Sequence, residues 1–263
     1  MKRLLLTILA TAGIICAVCW QFRDRLPVVW RKVAEPMVTK PTPDAARYAE
    51  LKEEAQRWRK DLAGKYAKAR TKEEKDKVIS ETRSFLETLL PAMMRCWLGT
   101  TWDFNGTAEG PGQGKIACGY FVATVLRDAG FQVDRYKLAR QPSQNIIRTF
   151  LPSEAMTLRV GVPYENFASE VASAEPGIRI VGLDSHVAFL VTTADGFRFI
   201  HSSGSKPWCV VDESRDEAAV LRRSNYRVHG LLTSDRTVLL RWLKAEKIAV
   251  KETSTATASA KRQ

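Results

Sequence analysis

The spacing of apolar residues changes along this chain, from helical to strand-like, and that change dictates the fold class. Up to residue 95 they recur at helical intervals; after Pro176 they fall into short runs separated by turn residues. Tyr48, Leu51, Ala55, Trp58, Leu62, Tyr66 and Ala69 are spaced 3,4,3,4,4,3, a heptad-like stripe. Asp44 stands where an N-cap belongs, and Thr71-Lys72-Glu73-Glu74 has the form of a capping box opening a second helix. That helix carries Val78, Ile79, Phe85, Leu86, Leu89 and Leu90, a face too wide for one partner helix. The segment 44–95 therefore reads as an αα-hairpin. So short a stripe favours packing on the following domain over a free coiled coil, with helix-mediated self-association as the alternative.

Beyond Cys96 a glycine-rich loop, 105–115, gives way to an amphipathic helix from Cys118 to Ala129, stopped by Gly130. Helical patches are expected near 144–150 and 164–174. Strands are expected at 177–183, 186–192, 197–202, 208–212 and 226–233, then a helix over 235–250 and a disordered Ser/Thr/Ala/Lys tail over 251–263. Helices first and antiparallel strands later make an α+β domain over 96–234.

The N-terminus reads as a targeting signal. Lys2 and Arg3 precede an apolar run over 4–20, broken only by Thr7, Thr11 and Gly13. At ~1.5 Å per residue that run reaches ~26 Å, slightly short of a ~30 Å hydrocarbon core. A cleaved signal peptide and an uncleaved membrane anchor over 1–22 both fit. Pro27, Pro36, Pro41 and Pro43 mark 23–43 as a linker. Either reading predicts an extracytoplasmic domain, tethered to the plasma membrane or secreted. The net charge is +12, of which +8 lies in residues 1–95 and +4 in 96–263. Basic residues concentrated away from the cysteine argue against nucleic-acid binding and fit an anionic surface such as a bilayer or a bacterial cell wall.

Of five cysteines, Cys16 and Cys19 fall in the apolar run, leaving Cys96, Cys118 and Cys209. An odd count keeps at least one thiol free. Cys118 begins a helix, where the dipole favours a thiolate by about 0.3–1 kcal/mol. That is less than the ~1.4 kcal/mol that moves a pKa by one unit, so an imidazole must supply the rest. His186 and His201 lie on successive predicted strands. If Asp195-Gly196 made a two-residue turn, residue 190 would face 201 and the rings would sit ~13 Å apart. A four-residue loop over 193–196 instead pairs 188 with 201 and makes the two histidines diagonal neighbours on one face. In that register His186 is the general base for Cys118, and His201 fixes its tautomer.

Trp102-Asp103-Phe104-Asn105-Gly106, Ala117-Cys118-Gly119-Tyr120-Phe121-Val122, Ser185-His186-Val187-Ala188-Phe189 and Ile200-His201-Ser202-Ser203 occur in an order and spacing that resembles the NlpC family of papain-fold cell-wall peptidases. The resemblance implies a papain-like domain with Cys118 as nucleophile, His186 as base and His201 as orienting residue. It places Trp102 near the oxyanion site, with Asn105 and Tyr120 as further substrate or oxyanion candidates. Ala117 and Gly119 stand where the family has Asp and Ser, and Tyr120 where it has glycine. The implied reaction is hydrolysis of amide bonds in peptidoglycan stem peptides through a thioester, without metal or cofactor. An acyltransferase or transpeptidase on the same fold, and a non-catalytic tether binding the wall or a partner, are the alternatives. A zinc set of Cys118, His186, His201 and Cys209 lacks short ligand spacing, and His229 reads as structural.

Overall fold

The computed structural model describes residues 41–253. The expected anchor over 1–22, the linker up to residue 40 and the tail from 254 lie outside the described residues. Among the described residues no helix is long and apolar enough to cross a membrane.

Helix α1 (Ala45–Lys68) starts at Asp44, whose carboxylate accepts the Arg47 amide at 2.8 Å. Helix α2 (Lys72–Cys96) starts with the full capping box: Thr71 accepts the Glu74 amide, and Glu74 accepts the Thr71 amide. The α1 stripe buries Tyr48, Leu51, Ala55 and Leu62, while Trp58 remains 41% exposed, stacked on Phe85. The hairpin is no appendage. Trp97 is fully buried, with ring centroids 5.5 Å from Tyr48 and 6.1 Å from Phe121, and Phe121 lies 6.0 Å from Phe189. This edge-to-face series ties α1 to helix α3 (Cys118–Asp128) and on to the sheet.

Short elements follow α3: β1 (Gln132–Val133), α4 (Arg135–Ala139), α5 (Ser143–Phe150), β2 (Met156–Val160) and α6 (Tyr164–Ala172). Strands β3 (Gly177–Leu183), β4 (Val187–Thr193), β5 (Gly196–Ser202) and β6 (Val210–Ser214) come next. The described chain closes with α7 (Ala219–Arg223), β7 (Tyr226–Leu231), α8 (Arg236–Leu243) and β8 (Lys247–Ile248). Six strands form one antiparallel sheet in the order β2-β7-β3-β4-β5-β6. Its two faces are both covered. Ile178, Ile180, Val187, Phe189 and Ile200 join the core shared with α2, α3 and α5; Val181, Leu183, Ala188, Leu190 and Phe199 pack with Phe167 and Leu221 of α6 and α7. The architecture is α+β.

The β4–β5 register pairs Phe189 with Ile200 and Thr193 with Gly196. That is the register that makes the histidines diagonal neighbours, but the connection is tighter than the expected four-residue loop. Only Ala194 and Asp195 turn, and Gly196 takes φ +122° immediately after them.

Several expectations are corrected. The C-terminal helix stops at Leu243 rather than 250: Ala245 adopts φ +50°, its amide donates to Trp242, and the Glu246 amide donates back to Arg241. These two bonds form a Schellman closure, made without the usual glycine. Residues 251–253 are not loose, since the Lys251 amide donates to Thr149 and Asn145 donates to Thr253. Strands β1, β2 and β8 and helices α4 and α7 are additional to the expected elements. Pro41 and Pro43 lie against Gly99 and Gly112, so the end of the expected linker is packed on the domain.

Candidate active site

Cys118 is the first residue of α3, and its N-cap, Ala117, makes no side-chain cap. The first-turn amides are therefore left for whatever lies over the helix end. The chain reaches this point through a loop pinned at several places: Trp102 and Thr107 both bridge to Ile116, and the Ala117 amide donates to Gly106 at 2.9 Å. Gly119 lets α3 approach the end of α4 closely, because a Cβ there would lie 2.3 Å from the Ala139 carbonyl oxygen. Arg135, almost fully buried, fastens α4 to the loop and to α3. It donates to Thr124, to Glu109 and to the carbonyls of Thr107 and Ala108, and its guanidinium lies 4.9 Å from the centre of the Tyr120 ring.

His186 precedes β4, held by the Leu183 amide donating to its carbonyl at 2.8 Å. His186 Nε2 lies 2.8 Å from His201 Nδ1, and the rings meet edge to face with centroids 4.8 Å apart. His201, fully buried, places its Nε2 3.2 Å from Glu213 Oε2 on β6. Residue 201 pairs with Val211, so His186, His201 and Glu213 run diagonally across three neighbouring segments. Glu213 lies one residue past the expected end of β6 at 212. A period-two count from Val211 puts residue 213 on the same face, which is the signal that was available.

Cys118 and His186 line the same two clefts. One, of about 590 Å³, is walled by Pro142, Ser143, Gln144, Asp184 and Tyr226. The other, of about 830 Å³, is walled by Trp102, Phe104, Asn105, Tyr120, Arg140 and Arg223. All three side chains expected near the oxyanion site thus border the sulfur's second cleft. Trp102 packs against Trp208 at 5.5 Å, beside Gly204, where a Cβ would lie 2.9 Å from the indole. The Tyr120 hydroxyl accepts from Arg140 at 3.4 Å. Asn105 is exposed, and its backbone amide donates to Asp103.

The electrostatics differ from the expected thiolate–imidazolium pair. Burial pushes the Cys118 thiol up, against the opposing pull of the Val187, Gly119 and Cys118 amides. Burial, and to a lesser extent His201, pushes His186 well down; burial alone takes His201 to about 3. Among the described residues no hydrogen bond joins Cys118 to His186. The resting site holds a neutral thiol beside neutral imidazoles, and the His201–Glu213 contact is a hydrogen bond rather than an ion pair. Glu213 is pushed up to about 7 by burial and by Glu217, with Arg198 opposing.

Among the described residues no group of three or more His, Cys, Asp or Glu is arranged to hold a metal ion. The two histidines spend facing nitrogens on each other, which removes them from a common ligand set. Cys96 and Cys209 are buried thiols and form no bridge with each other. His229 is buried on β7, edge-on to Phe167 at 5.7 Å and away from the clefts. No protein-family model, no curated protein and no solved structure matches this chain.

Proposed function

We propose that this chain is a papain-like cysteine hydrolase of the NlpC type that cleaves peptide amides of the bacterial cell wall. The observation that carries the reading is the orientation of His186. Its Nε2 is occupied by His201 at 2.8 Å, which leaves Nδ1 as the nitrogen available to the sulfur, in a site where both residues line the same two clefts. With a neutral thiol at rest, the base works during attack. His186 Nδ1 takes the thiol proton as sulfur adds to the amide carbonyl, and the Cys118 amide at the helix start stabilises the oxyanion. The imidazolium returns that proton to the departing amine, leaving a thioester. Water, deprotonated by the same nitrogen, then releases the acid and the free thiol. Two clefts that share Cys118 and His186 suit a substrate that continues past the scissile bond in both directions. The basic N-terminal segment supports an extracytoplasmic, membrane-tethered or secreted location.

Full-length protein incubated with peptidoglycan fragments tests this, with mass spectrometry of the products. Wild type generates new amine and carboxyl termini, whereas Cys118→Ser and His186→Ala do not. Intact fragments after incubation with wild type overturn the proposal. Transfer to an added amine in preference to water identifies an acyltransferase instead. In parallel, iodoacetamide modifies Cys118 ahead of the buried Cys96 and Cys209, and His186→Ala slows that reaction; equal labelling of all three thiols favours the non-catalytic alternative.

A further inference from the structure

Hydrogen-bond accounting along the diagonal gives Glu213 a task. A neutral imidazole carries one N–H and one bare nitrogen. His201 has both nitrogens engaged, Nδ1 by His186 Nε2 at 2.8 Å and Nε2 by Glu213 Oε2 at 3.2 Å. An ionised carboxylate only accepts, so His201 must donate from Nε2, which leaves its Nδ1 bare. His186 must then donate from Nε2, and its own Nδ1 is bare, the form a base needs. A Glu213 protonated at Oε2, the oxygen that faces His201, donates to His201 Nε2 instead. The proton on His201 then sits on Nδ1 and is donated to His186 Nε2, so His186 carries its proton on Nδ1 and cannot accept one there. One proton on Glu213 thus reverses both rings without changing any heavy-atom contact.

We infer that Glu213 is a positioning residue which, through His201, sets the bare nitrogen of His186, so that the site is competent only while this carboxyl is ionised. The inference rests on the hydrolase reading for its consequence, but not for its geometry. The groups facing this carboxyl are few. His201 and Phe199 lie beside it on β5, and Glu217 follows β6. Arg198, also on β5, is committed to Asp212, with bonds of 2.7 and 2.6 Å to its carboxylate and carbonyl. A largely buried carboxyl with a second carboxylate near it and its nearest cation so engaged is pushed up to about 7. The tautomer therefore reverses near neutral pH, well above the range in which either imidazole itself gains a proton.

Nitrogen-15 correlation spectra of the histidine rings, recorded on the full chain across pH 5–9, test this without reference to turnover. Expected is a His186 ring with bare Nδ1 at pH 8 that passes to the Nδ1–H form below pH 6, together with the opposite exchange on His201. Glu213→Gln should abolish that pH dependence, while the His229 resonances, from a ring on β7 separated from β5 by β3 and β4, report that the fold is intact. Hydrolysis by wild type should rise about tenfold between pH 6 and pH 8 and follow a flat profile in the variant. A His186 ring that keeps one tautomer throughout overturns the inference, as does a pH dependence unchanged in Glu213→Gln. Tautomer exchange without any hydrolysis would uphold the inference and overturn the hydrolase reading.

Discussion

Replacing Gly119 with alanine sets two effects against each other, and the structure says which wins. In an unencumbered helix, alanine is better than glycine by up to ~1 kcal/mol, so a free site predicts a more stable protein. Here the new Cβ lies 2.3 Å from the Ala139 carbonyl oxygen, whereas real Cβ contacts essentially never fall under 3.0 Å, so the backbones must part by about 0.7 Å. Helix α4 is poorly able to yield. Asp134 caps it, and Arg135 bonds it to Thr124, Glu109 and two loop carbonyls. The strain is then taken by the first turn of α3, which carries Cys118. Overpacking of this kind costs ~1–3 kcal/mol, so after the gain of up to ~1 kcal/mol the net change is a loss of up to about 2 kcal/mol. In the proposed mechanism, displacing the Cys118 sulfur by a large fraction of an ångström costs on the order of 10–100-fold in rate. Serine, the residue of the resembled family at this position, meets the same carbonyl and gains nothing. Urea unfolding and the alkylation rate of Cys118 provide the assays. A Gly119→Ala protein more stable by ~1 kcal/mol, with unchanged alkylation, would refute the reasoning.

Three histidines, His201 and His229 buried and His186 partly buried, make the fold acid-labile. His186 is held well below its usual value, His201 near 3 and His229 near 4, each with burial as the leading cause. The unfolded chain takes up these protons below pH ~6.5 and the folded chain does not, so stability falls as pH drops through that range. Glu213, held up to about 7, acts oppositely, since the folded form keeps its proton above pH ~4.5 while the unfolded form loses it. The balance is about two protons between pH ~4.5 and ~6.5, or on the order of 2–3 kcal/mol per pH unit at most; urea midpoints equal at pH 5 and pH 7 would contradict it. Arg135→Met should cost about 3–5 kcal/mol by leaving two loop carbonyls and Thr124 without their donor. A thermal midpoint lowered by less than about 3 °C would show that the guanidinium is dispensable.

What could be read from the sequence was what depends on near neighbours. Asp44 and Thr71-Glu74 announced their helices because a cap is completed within four residues. The buried run of β3 was legible for a similar reason, having apolar residues on both faces. Counting residues around one turn left two registers open for His186 and His201; the structure has the one in which they meet, through a turn two residues shorter than the expected loop. Cap chemistry also misled. Nothing local marks Ala245 as the left-handed residue that ends α8, since alanine rarely takes that conformation; the pairing of β8 with β1 directly after it is a long-range contact. Met156-Thr157-Leu158-Arg159-Val160 alternates as a strand should, but β2 is a short edge strand that leaves Leu158 and Val160 exposed. A period-two count within β6 gives the face of Glu213, but its meeting with His201 also required the register of β6 on β5, which no spacing within one segment supplies. The neutral state of the thiol was likewise out of view, because burial is a property of the assembled fold.

The ring series from Tyr48 through Trp97 and Phe121 to Phe189 has a bearing on where this protein can be cut. A motif search would start the working piece at residue 96, yet doing so discards Tyr48 and the whole of α2, stripping one flank from the helix that presents the sulfur. The smallest fragment that melts as one cooperative body therefore begins near residue 41, and expression trials begun downstream would yield chains with an open apolar wound.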